Sequence, residues 1–165
     1  MSILRFQIVG MMLIAGSGLL AATDDAKDQA IKKDRKQIAG TWRIVALEVN
    51  ANKAKEEDAK KLTVVNGSDG TWSLLSEGKV ISKGTSTFDP TKKPKTIDFT
   101  PTEGEGKGTE FLGIYELGAK TRKMCFAPAG KERPTEFSSM SDSGHILVTF
   151  EREKGTRRTN DPEER

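Results

Sequence analysis

The sequence predicts an all-β fold, an eight-stranded antiparallel up-and-down barrel preceded by a short N-terminal helix. Three observations lead there. Short runs rich in β-branched and aromatic residues recur roughly every 8 to 12 residues from Gly40 onward, most of them separated by hairpin-length turns. No helical crossover separates successive runs, which excludes parallel βαβ units. Apolar content is lean, with 42 apolar and 50 charged among the 143 residues from Thr23 onward. That suits one modest domain, and closure into a barrel removes edges that so lean a core could not protect.

Residues 1–22 carry one charge, Arg5, then an apolar run from Ile8 to Leu20 interrupted by Gly10, Gly16 and Gly18, and end in Ala21-Ala22. This is the pattern of a secretory signal peptide, and the run is shorter than the ~20 apolar residues a spanning helix needs. The protein is therefore expected to be exported, periplasmic or extracellular, with no stable membrane insertion after cleavage. Residues 23–39 contain no Gly or Pro, open with an Asp25/Asp28 pair resembling a capping box, and are followed by Gly40, so a helix is expected. Its apolar stripe of Ala30, Ile31 and Ile38 can cover a surface but cannot build a core.

The barrel domain is expected over residues 40–153. Trp42, Ile44, Val45, Leu47 and Val49 mark the first strand. Residues 52–61 read as a short helix or a long loop. Further strands are expected at 62–65, 71–75, 79–88 and 95–100, punctuated by Asn66-Gly67-Ser68-Asp69-Gly70, Ser76-Glu77-Gly78, Asp89-Pro90 and Pro94. Residues 101–108 hold three glycines and no apolar residue and read as an exposed loop. A hairpin of 111–117 and 122–127 follows, then a loop over 128–144 and a last strand over 145–152. Residues 154–165 carry no apolar residue and are expected to be disordered.

A helix, then Gly40-Thr41-Trp42, then seven more strands ending in Arg152 is the order seen in lipocalins and related ligand-binding barrels. Longer strings are more specific: Ile38 to Trp42, Phe88 to Asp98, Leu112 to Leu117, Cys125 to Pro128 and Gly130 to Phe137. Together they resemble an uncharacterised domain family known chiefly from planctomycete bacteria, over roughly residues 34–153. The resemblance implies a lipocalin-like barrel in an exported bacterial protein and supplies no activity, ligand or catalytic residue. On physical grounds, Gly40 lets the chain turn from helix into strand, and Trp42 sets a large ring at the closed end. Arg152 lies across that ring if the first and last strands become neighbours; otherwise Trp42 is core and Arg152 a solvated strand end.

Several chemistries find no support. One cysteine and one histidine exclude a disulfide framework, a cysteine-based zinc site and a His-rich metal centre, so no metal and no cofactor are expected. Cys125 and His145 could pair as thiolate and base, but Cys125 lies in a compact strand where a buried, unreactive thiol is the ordinary outcome. In an oxidising compartment it must be buried or pair between chains. No serine elbow or phosphate loop occurs. Basic and acidic residues are interspersed and nearly balanced, which provides no field for nucleic acid.

No enzyme is expected. The first reading is a monomeric, non-enzymatic binding module that holds a small, largely apolar ligand in the barrel. Gly84 and Gly113 could leave room inside, whereas the candidate interior residues Phe88, Phe99, Phe111, Tyr115, Phe126 and Phe150 could equally fill it. The alternative is a solid barrel whose loops engage a protein or envelope partner. Its candidate recognition loop is 128–137, where two prolines flank Lys131, Glu132, Arg133, Glu136 and Phe137. That loop reads equally as one held by its own salt bridges, with Phe137 anchoring the return into the barrel.

Overall fold

A computed structural model describes residues 19–153. The expected leader and tail lie outside the described residues, apart from residues 19–22, which belong to the first helix. That helix, α1 (Leu19–Ile38), starts before Thr23, so Asp25 and Asp28 sit within it and not at its start. Leucine and alanine are strong helix formers and carry the helix back through positions 19–22.

Among the described residues nine strands follow: β1 (Gly40–Val49), β2 (Asn52–Lys53), β3 (Leu62–Asn66), β4 (Thr71–Ser76), β5 (Lys79–Asp89), β6 (Lys95–Glu103), β7 (Phe111–Leu117), β8 (Thr121–Phe126) and β9 (Ile146–Arg152). A single turn of helix, α2 (Glu56–Ala59), lies between β2 and β3. All pairings are antiparallel in the order β1-β3-β4-β5-β6-β7-β8-β9, and β9 returns to β1 from Trp42↔Arg152 to Val49↔Ile146. Eight strands thus close into the up-and-down barrel that the sequence predicts.

The ninth strand, β2, lies outside the barrel and pairs only with the end of β1, through Glu48↔Lys53 and Val49↔Asn52. Its two-residue turn needs positive φ at both central positions, and Asn50 and Ala51 adopt φ 53° and 65°. Alanine gives no local signal for that turn. Tertiary contacts hold it: Ser139 Oγ accepts from the Ala51 amide at 3.2 Å, and Asn50 Oδ1 accepts from the Gly144 amide at 3.1 Å. Ala51→Gly should therefore raise stability by about 0.5–1 kcal/mol by relieving the left-handed alanine. A shift of the urea midpoint to higher concentration would register it.

The segment 101–108, expected as an exposed loop, is strand as far as Glu103, and Pro101 is buried opposite Gly84. A bulge between Lys83 and Gly84 interrupts the ladder beside it, so the missing proline donor costs nothing there.

The inward face of the barrel is filled by side chains. Trp42, Ile44, Phe88, Ile97, Tyr115, Met124, Phe126, Val148 and Phe150 form its buried core. Of the six candidate interior aromatics, Phe88, Tyr115, Phe126 and Phe150 are buried, and Phe99 and Phe111 are half-buried. Phe99 stacks on Phe111 and meets Phe126 edge-on, each at 4.7 Å between ring centroids. Of the two alternatives at Gly84 and Gly113, open room or filling by rings, the structure has the second. A Cβ at Gly84 would sit 2.4 Å from the Trp72 ring, and one at Gly113 would sit 2.3 Å from the Phe126 ring. The glycines make space for neighbouring rings, not for a ligand.

Helix α1 covers the end of the barrel where β1 begins and β9 finishes. Asp34, 4% exposed, accepts from Tyr115 Oη at 2.6 Å and from Lys95 Nζ at 2.8 Å. Gln37 Nε2 donates to the Gly118 carbonyl at 3.0 Å, and Lys27 pairs with Asp89 at 3.0 Å.

Candidate functional site

The outward faces of β7 and β8 carry Ile114 and Cys125, opposite each other in register and both buried. What buries them is the long connection from β8 to β9. Arg133 is its clamp. The guanidinium makes a two-pronged ion pair with Asp98, with Nη2 to Oδ2 at 3.0 Å, and Nη1 also donates to the carbonyls of Gly113 at 2.7 Å and Ile97 at 3.3 Å. Pro134 is buried beside it. Charge-assisted forks of this kind fix orientation as well as adding energy. Arg133→Ala should cost about 1–2 kcal/mol, and residues 128–140 should become the first site cut in limited proteolysis.

The five candidate recognition residues thus divide. Lys131, Glu132 and Glu136 are exposed. Arg133 is half-buried and spent on the barrel, so it is not free to meet a partner. Phe137 does not return into the barrel interior; its ring lies on the outside, 5.8 Å from Lys123 Nζ. Met140, 61% exposed, was not singled out from sequence. Its signal was an apolar residue set among serines.

At the helix-capped end the structural motif residues come together. Gly40 adopts φ 110°, and a Cβ there would approach Arg152 Nη1 to 2.9 Å. Trp42 is 0% exposed, and its Nε1 donates to the Ile38 carbonyl at 2.6 Å. The Arg152 guanidinium lies 4.2 Å from the Trp42 ring centroid. It also donates to the carbonyls of Ala39, at 2.8 Å, and Gln37, thereby satisfying the end of α1. A second arginine joins it. Arg122 is 1% exposed, with its guanidinium 4.8 Å from the Trp42 ring and 4.2 Å from that of Phe150. Burial, reinforced by the Arg152 charge, lowers its pKa to about 9. The signal was legible: Arg122, Met124 and Phe126 alternate along β8, which puts a charge on the apolar face.

Cys125 Sγ donates to the Ser138 carbonyl at 3.3 Å, and His145 Nδ1 lies 3.4 Å from the same oxygen. Thiol and imidazole thus both lie against the Ser138 carbonyl. Burial pushes the thiol pKa up, with Glu136 adding to the rise, so this thiol carries no activation to thiolate.

Fold and site define a class: a closed eight-stranded antiparallel barrel with a helix-capped, arginine-flanked tryptophan at one end and a clamped loop on its outer face. No protein family, no curated protein and no solved structure matches the chain.

Proposed function

We propose that the protein is an exported, non-enzymatic interaction module that presents the clamped loop 128–140 to a protein or envelope partner. The observation that carries this is the Arg133 clamp. Four contacts to the barrel hold the loop in one conformation, so its exposed charges Lys131, Glu132 and Glu136 and the exposed Met140 are already ordered before a partner arrives. Preorganisation of this kind lowers the ordering cost of association. Export rests on the leader pattern, and the resemblance to the planctomycete family agrees with it.

The reading of the barrel as a calyx for a small apolar ligand has less support, because rings occupy the space at Gly84 and Gly113. Two depressions among the described residues, of about 620 Å³ around Lys55, Glu56, Glu57 and Lys60 and about 400 Å³ around Glu116, Lys123 and Thr149, open on the outside. Fatty acids, quinones and aromatic probes should therefore leave Tm within about 1 °C of its unliganded value. A saturable rise with one of them would restore the calyx reading.

The interaction reading is tested with a photo-crosslinking residue at position 140 in the native cell. A discrete adduct is expected, reduced by combined Lys131→Glu and Glu132→Lys changes, and missing when the crosslinker is moved to Lys107. Arg133 is left alone because its loss would unclamp the loop. No adduct at position 140, or one indifferent to the charge changes, would sink the proposal.

A further inference from the structure

The helix-capped end carries donors without acceptors. Among the described residues, the buried side-chain polar atoms that lack a partner are Arg35 Nε, Asn66 Nδ2, Arg122 Nε and Arg122 Nη1, all of them donors. They belong to one end of the barrel: Arg35 on the α1 segment that lies against Gly70, Asn66 at the end of β3 paired with Gly40 and Trp72, and Arg122 at the start of β8 beneath the Trp42 ring. Arg122 is the extreme case. It is 1% exposed, forms no ion pair among the described residues, and has the Arg152 guanidinium on the same indole.

Aromatic faces on both sides attract a guanidinium, but they accept no in-plane N–H. A buried charge is ordinarily paired, and buried donors ordinarily find acceptors. Water could satisfy the donors without compensating the charge. Among the described residues no acidic group pairs with Arg122: Asp34 is held by Tyr115 and Lys95, Asp89 by Lys27 and Thr91, Glu116 by Lys123 and Glu153 by Arg43. Arg122 also borders, with Glu116, Leu117, Gly118, Thr121, Lys123 and Thr149, the roughly 400 Å³ depression on the outer face of the barrel, while its guanidinium is turned inward against Trp42 and Phe150.

We propose that Arg122 is the core of a site for a small monovalent anion, a halide or a short carboxylate, which accepts from its Nε and Nη1 and neutralises its charge at the helix-capped end of the barrel. The packed interior limits the anion to a few atoms. The site is independent of the loop proposed for partner binding, because it lies on the opposite face of the β7–β8 sheet.

The test is thermal unfolding of the mature chain at fixed ionic strength, with methanesulfonate replaced stepwise by chloride in one arm and by acetate in the other. Wild-type Tm should rise by about 5 °C or more over a hundredfold range of the preferred anion, and the two arms distinguish halide from carboxylate. Arg122→Met should abolish the dependence. Crystals soaked in bromide supply a readout that needs no variant: anomalous density within hydrogen-bonding distance of Arg122 is expected. Equal anion dependence in wild type and Arg122→Met would overturn the proposal, as would crystals without density beside Arg122 and a wild-type Tm indifferent to both anions. If Arg122→Met fails to fold, Arg122→Lys takes its place, with a weakened dependence expected and an unchanged one counting against the site.

Discussion

Trp42→Ala is expected to destabilise the folded chain by about 3–5 kcal/mol, the range for emptying a fully buried aromatic site. The ring is 0% exposed, holds the last turn of α1 through the Ile38 carbonyl, and contacts the guanidiniums of both Arg122 and Arg152. Alanine would leave a cavity beside two like charges and remove the ring that both contact, which adds to the transfer cost. Urea unfolding with an unchanged m-value would measure the loss. A double-mutant cycle with Arg152→Ala isolates the cation–ring contact from the two carbonyl bonds that Arg152 also makes. A coupling of about 0.5–2 kcal/mol is expected, whereas additive single costs would show that the ring and Arg152 do not interact.

Asp34→Ala should cost about 2–4 kcal/mol, because it strands the buried Tyr115 hydroxyl and removes the partner of Lys95. Its pH signature lies on the alkaline side. Burial, with the Asp34 hydrogen bond and charge adding to it, raises the pKa of Tyr115 far above that of an ordinary tyrosine. Above pH ~10, therefore, the unfolded chain releases the phenolic proton while the folded chain keeps it. By linkage, stability falls as pH rises through that range. Wild type should lose stability between pH 9 and 11 more steeply than Tyr115→Phe does. Parallel urea midpoints for the two across that interval would show no link between this hydroxyl and folding.

Much of the architecture was written in local pattern. Strand periodicity and turn chemistry located all eight barrel strands, because a period of two and residues such as Asn, Gly and Pro act within a few positions of themselves. The candidate interior aromatics were legible for the same reason. Local pattern failed where a distant group supplied the energy. Ala51 turns left-handed because Ser139 and the Gly144 segment hold that turn. Pro101 enters a strand because a bulge at Thr102, opposite the Lys83–Gly84 step of β5, excuses its missing donor.

By itself, then, the sequence determined the all-β class, the antiparallel succession, the closure into eight strands and the helix before them, since each follows from short-range propensity and hydrophobic period. Only the tertiary structure decided what fills the space at Gly84 and Gly113, where the Arg133 side chain is spent, and that Arg122 joins Arg152 against the Trp42 ring. Alternation tells which face of a strand a residue occupies. It does not tell which ring or carboxylate, 35 residues away for Arg133 and Asp98 or 81 for Asp34 and Tyr115, will be waiting there.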